Sequence, residues 1–126
     1  MLVFKPTLYL QKKRDQWSYL VPRTILSSLE EHQFHAYYFL KEGRFYVLIG
    51  SPPQELTTFY IHRKLYNAQT KNKNPQYKSL VPKEIINAHN LNREKKYFIV
   101  LRLTSVVLVK KFKSFQGYEI TFLTKS

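Results

Sequence analysis

A chain of 126 residues is one domain's worth of material, or two very small modules sharing a core. Its 44% hydrophobic and 16% aromatic content argues against global disorder, and the absence of cysteine excludes disulfides, thiol nucleophiles and cysteine metal sites. A formal charge of +13 and a pI near 10.0 point to a polyanionic partner, most often nucleic acid. No run approaches the roughly 18 apolar residues of a membrane helix, and the start MLVFKPTLYLQKK lacks the order of a signal peptide. The expectation is a cytoplasmic protein with no membrane partner. The charge is lopsided: Met1 to Leu56 holds seven basic and five acidic residues, net +2, whereas Thr57 to Ser126 holds fourteen and three, net +11.

In chain order, Thr7–Gln11 is β-prone, Lys12–Gln16 is a polar turn and Trp17–Val21 is β-prone again, so the three predict a hairpin. Pro22 has the fixed φ of a helix start, and apolar residues at Ile25, Leu26 and Leu29 predict one short helix over Pro22–Glu31. Phe34–Leu40 and Arg44–Ile49 read as strands around a Glu42-Gly43 turn. Gly50 to Glu55, with Pro52 and Pro53, breaks regular structure. A similar order then returns. Thr58–Lys64 and Tyr77–Val81 form a hairpin with a long polar connection, Pro82–His89 a helix, and Lys95–Leu103 with Ser105–Phe112 a second hairpin. Tyr118–Leu123 adds one more strand.

The return is written in the residues. At a shift of sixty, Leu20-Val21-Pro22-Arg23 meets Leu80-Val81-Pro82-Lys83, Ile25 meets Ile85, and Tyr37 to Leu40 meets Tyr97 to Val100. Such self-similarity indicates an internal duplication, and a unit of this size buries too little apolar surface to fold alone. The division reads as a first unit over 1–50, a linker over 51–56, a second unit over 57–113 and a C-terminal extension over 114–126.

These corners resemble those of the AbrB/MazE swapped-hairpin family of DNA-binding proteins, in which an Ile/Val-Pro corner joins a first hairpin to a short helix and a closing hairpin. Tandem copies in one chain resemble the MraZ-type arrangement. The resemblance implies a mainly β fold with two short helices: two ββαββ half-units interleaved as one pseudo-two-fold barrel, within the chain or across a homodimer. It also implies non-catalytic binding of double-stranded DNA, as a transcriptional regulator or antitoxin-like factor. The family's Gly-Arg ahead of the corner is Trp17-Ser18 in one unit and Tyr77-Lys78 in the other, so only Lys78 keeps the charge. Arginines often found after the proline are replaced by Leu26-Ser27 and Ile86-Asn87.

The candidate nucleic-acid contacts are the basic residues of each first hairpin and corner: Lys12, Lys13, Arg14 and Arg23, then Arg63, Lys64, Lys71, Lys73, Lys78 and Lys83. Lysines there can pair with phosphates, and Asn72, Asn74 and Gln76 carry amides able to meet a base edge. Arg93-Glu94-Lys95-Lys96 and Lys110-Lys111-Phe112-Lys113 read as solubilising strand ends, and the strand aromatics as core. The histidines lack the cysteines or carboxylates of a metal shell, so no metal and no cofactor are expected. His62 beside Arg63 resembles the pairings of ribonucleases, but neighbours in a strand face opposite ways. Three other readings stay open: an RNA- or single-strand-binding protein, a module for a protein partner that has lost DNA binding, and, last, a small ribonuclease.

Overall fold

The computed structural model describes residues 2–50, 59–68, 75–107 and 114–125. The chain is mainly β, with antiparallel strands rolled into a nearly closed barrel and two short helices at its corners. The strands are β1 (Val3–Phe4), β2 (Thr7–Gln11), β3 (Gln16–Leu20), β4 (His35–Lys41), β5 (Arg44–Ile49), β6 (Tyr60–Lys64), β7 (Tyr66–Asn67), β8 (Tyr77–Leu80), β9 (Tyr97–Val107) and β10 (Ser114–Thr124). Helix α1 spans Arg23–Leu26 and α2 spans Lys83–Ala88, and a single 3-10 turn occupies Glu31–Gln33.

Around the sheet the order is β6-β4-β5-β10-β9-β2-β3-β8-β7, with β1 added on β9. The two ends of that order are consecutive in the chain. Only buried Leu65 separates β6 from β7, and its backbone N–H donates to the Phe34 carbonyl at 3.0 Å. One continuous stretch therefore changes partner from β4 to β8 and brings the sheet almost to closure, which leaves few bare strand edges among the described residues.

Alternation sets the inside. Trp17 and Tyr19 of β3, Ala36 and Tyr38 of β4, Val47 of β5, Ile99 and Leu101 of β9 and Ile120 of β10 line the core, joined by Ile25 of α1 and by Ile85 and Ile86 of α2. Each large apolar side chain so buried contributes about 1.5–3 kcal/mol. Strands β3 and β8 cross with Tyr19 opposite Ser79. Beyond that pair, Val21 N–H donates to the Tyr77 carbonyl at 2.9 Å and Val81 N–H donates to the Trp17 carbonyl at 2.8 Å. The two bonds exchange places under the sixty-residue shift.

Both prolines stand one place earlier than a first helical residue: they are the caps of α1 and α2, at φ −55°, ψ 140° and φ −57°, ψ 141°. Their carbonyls accept the first helical N–H groups, those of Ile25 and Ile85, at 3.0 and 3.1 Å. The helix expected over Pro22–Glu31 stops at Leu26. Ser27 Oγ donates to the Thr24 carbonyl and Ser28 Oγ to the Ile25 carbonyl, at 3.0 and 2.8 Å. Such local bonds compete with helix propagation. Glu30 and Gln33 then cap the 3-10 turn reciprocally.

The last hairpin also differs from expectation. No turn falls at Thr104: β9 runs on through it, Thr104 pairs with Gly117, and the return strand is Ser114–Thr124 rather than Ser105–Phe112. Residues 108–113 lie outside the described residues, as do 51–58 of the expected linker and 69–74 of the long polar connection. β10 pairs with β5 as well as β9, so the segment after residue 113 is part of the barrel wall. At Glu42-Gly43 the turn is as expected: φ values of +51° and +77° make the type I′ loop that matches strand twist.

Candidate nucleic-acid interface

Lys12, Lys13, Arg14 and Asp15 form the whole tip between β2 and β3, whose last paired residues are Gln11 and Gln16. The tip closes on Arg14 N–H to Gln11 carbonyl and Asp15 N–H to Lys12 carbonyl bonds, both 3.3 Å. Asp15 sits at φ +52°, a left-handed conformation that Asp tolerates better than most residues. Its carboxylate organises what surrounds it. Lys83 Nζ, at the start of α2, lies 4.0 Å from Oδ2, and an Arg93 guanidinium nitrogen lies 3.7 Å from Oδ1. Arg93 also donates to the Lys12 carbonyl at 3.1 Å, and Lys12 Nζ is 3.6 Å from Glu94.

Arg63, on β6, borders the same region. With Asp15, Gln16, Lys83 and Glu84 it lines a groove of about 190 Å³ beside the tip. The fold thus sets Lys83 and Arg93 against the Lys12–Asp15 tip, with Arg63 and Lys83 on the groove beside Asp15. These exposed ion pairs contribute little stability, about 0–1 kcal/mol each, so the cations remain free to exchange partners.

Other candidates stand elsewhere. Lys64 is opposite His35 in the β4–β6 ladder, and Lys78 lies in β8 between Leu20 and Tyr66. Arg23 opens α1, and neither it nor Lys78 lines the groove beside the tip. Lys71, Lys73, Asn72 and Asn74 lie outside the described residues. Arg93 is an addition to the expected set. The signal for it is its basic run, but the run alone does not say that it folds against a tip some eighty positions earlier.

His62 and Arg63 do point apart. Arg63 shares a face with Ala36, whereas His62 is stacked on Tyr37, ring centroids 5.1 Å apart, and its Nε2 lies 2.8 Å from His35 Nδ1. Partial desolvation, followed by the charges of His62, Lys64 and His32, lowers the proton affinity of His35. Among the described residues no group of three or more His, Asp or Glu converges as metal ligands.

The core holds a polar chain of its own. Tyr38 Oη is 2.8 Å from Tyr19 Oη and 2.6 Å from Ser79 Oγ, all three residues buried where β3 and β8 cross. Burial pushes the Tyr19 phenol up to about 12, against the pull of its hydrogen bonds, and holds Tyr38 well above its ordinary value. Both stay neutral hydroxyls at any physiological pH. No protein family, curated protein or solved structure matches this chain.

Proposed function

We infer that the chain is an internally duplicated swapped-hairpin barrel of the AbrB/MazE kind, and that it binds double-stranded DNA without catalysis through the face around the β2–β3 tip. Several features support the architecture. The two proline corners have the same backbone angles within a few degrees. The reciprocal Val21–Tyr77 and Val81–Trp17 bonds flank the Tyr19–Ser79 pair as a two-fold axis would require. Strand β2 of the first unit lies on β9 of the second, and β6 of the second lies on β4 of the first, so each unit's leading strand is received by the other.

The observation that carries the function is the convergence of Lys83 and Arg93 from one unit on Asp15 and Lys12 of the other, with Arg63 on the same groove as Asp15 and Lys83, and with Lys13 and Arg14 in the same four-residue tip. A protruding tip of three cations beside a helix start has the shape and charge to follow a duplex backbone, and its lysines pair with phosphates irrespective of sequence. The interface is composite, so neither unit holds it alone. A role in transcription regulation, or as an antitoxin-like factor, follows from the resemblance.

The test is anisotropy with a labelled duplex. Arg14→Ala combined with Lys83→Ala is expected to weaken binding by about ten-fold and to reduce the log–log salt slope by about two units, one for each phosphate that is no longer neutralised. An affinity unchanged by both substitutions contradicts this placement of the interface.

A further inference from the structure

A second basic groove lies along the β2–β3 hairpin, sharing Trp17 with the first, and its chemistry differs from that of the tip. It encloses about 330 Å³, and its walls carry Lys12, Arg93, Lys95, Lys96 and Lys125 together with Tyr9. Tyr9 is 54% exposed, although it stands in the middle of a strand. Its neighbours explain the exposure: Leu8 turns into the core, so Tyr9 turns outward. On the same outer face Thr7 pairs with Phe98, and Lys125 lies over both, its Nζ 5.1 Å from the Phe98 ring centre and 3.4 Å from Thr7 Oγ1. The Lys125 N–H donates to the Lys96 carbonyl at 2.7 Å, which ties the end of β10 to the start of β9 at this point. One carboxylate, Glu94, enters the lining, and it is already turned to Lys12.

We propose that this groove binds single-stranded nucleic acid, with an unpaired base stacked on Tyr9 and the flanking phosphates held by Lys95, Lys96 and Lys125. An exposed aromatic ring in a channel of cations is the arrangement by which proteins hold single strands, because every base has a face to stack while the backbone supplies the charge. A duplex offers no such face, since its bases are stacked on one another. Its volume of about 330 Å³ is on the scale of a single nucleotide and far below that of a double helix. The site overlaps the proposed duplex interface at Lys12 and Arg93, while Tyr9, Lys95, Lys96 and Lys125 belong to this groove alone.

The experiment uses labelled oligo(U) and oligo(dT) of about ten nucleotides beside a duplex of the same length, each titrated with wild type and variants. Tyr9→Ala should weaken both oligonucleotides by about ten-fold and leave the duplex unchanged. Tyr9→Phe, which keeps the ring, should restore them. Lys95→Ala with Lys96→Ala should lower the single-strand salt slope by about 1.4 units, at about 0.7 per phosphate. Arg14→Ala with Lys83→Ala should do the reverse, weakening the duplex and sparing the oligonucleotides. A preference for oligo(U) identifies RNA as the ligand and a preference for oligo(dT) identifies DNA. Wild type that binds neither at about 50 mM salt, or Tyr9→Ala with unchanged affinity, overturns the proposal whatever the duplex does.

Discussion

Tyr38 is the residue on which two others depend. Its hydroxyl bridges Tyr19 and Ser79 deep in the core, so Tyr38→Phe takes one partner from each of two buried hydroxyls and leaves Ser79 Oγ with its long 3.3 Å bond to the Leu80 carbonyl. The loss is expected to be about 1–3 kcal/mol, read as a lower urea midpoint with an unchanged slope. Removing all three hydroxyls, as Phe, Phe and Ala, should cost less than the sum of the single changes, because orphaned polar groups and not missing bonds dominate the penalty. The sign of the pH effect follows from the same burial. The folded state holds Tyr19 near 12 where the unfolded chain has about 10, so its contribution is complete below pH 10 and is lost as pH rises from there towards 12. Alkaline unfolding that begins near pH 10 in wild type should be displaced upward in Tyr19→Phe.

At the scale of elements, Gly117 marks a close approach of two strands. A Cβ there would stand 2.9 Å from Leu48 Cδ2 and 3.2 Å from the Val47 carbonyl oxygen. Leu48 is buried and the carbonyl belongs to the ladder, so Gly117→Ala should overpack the β5–β10 seam and cost about 1–2 kcal/mol of unfolding free energy. Much of this level is legible in the sequence. The strands β2 and β5, the Glu42-Gly43 turn and the two proline corners are signalled locally, by β-branched and aromatic runs, by a residue that accepts positive φ, and by a fixed proline angle. The departures have physical causes. Helix α1 has the right apolar spacing, but Ser27 and Ser28 turn their hydroxyls onto its last carbonyls and end it. Strand β9 passes Thr104 because nothing there breaks a strand and its partner, Gly117, comes thirteen positions later. Pairing decides that register, and pairing is not written in a local window.

For the whole molecule, the charge of +13 is plain from composition, while its arrangement is not. The cations of the hairpin tip and corner can be picked out by type, yet what assembles them is Asp15, whose two partners Lys83 and Arg93 come from the far half of the chain. A contact such as that of Arg93 with Lys12, 81 positions apart, depends on the closure of the barrel. The same closure sets Lys83 and Arg93 of the basic half beside Asp15 and Lys12 of the other, and the proposed reading is that both halves together bind the duplex. The most direct measurement of that claim is the affinity of the intact protein for a random DNA duplex across a salt series. With about four or five phosphates neutralised, the logarithm of the binding constant should fall against the logarithm of salt with a slope of about −4. A slope near zero, or no binding at about 50 mM salt, would contradict the duplex interface and leave the barrel without its proposed partner.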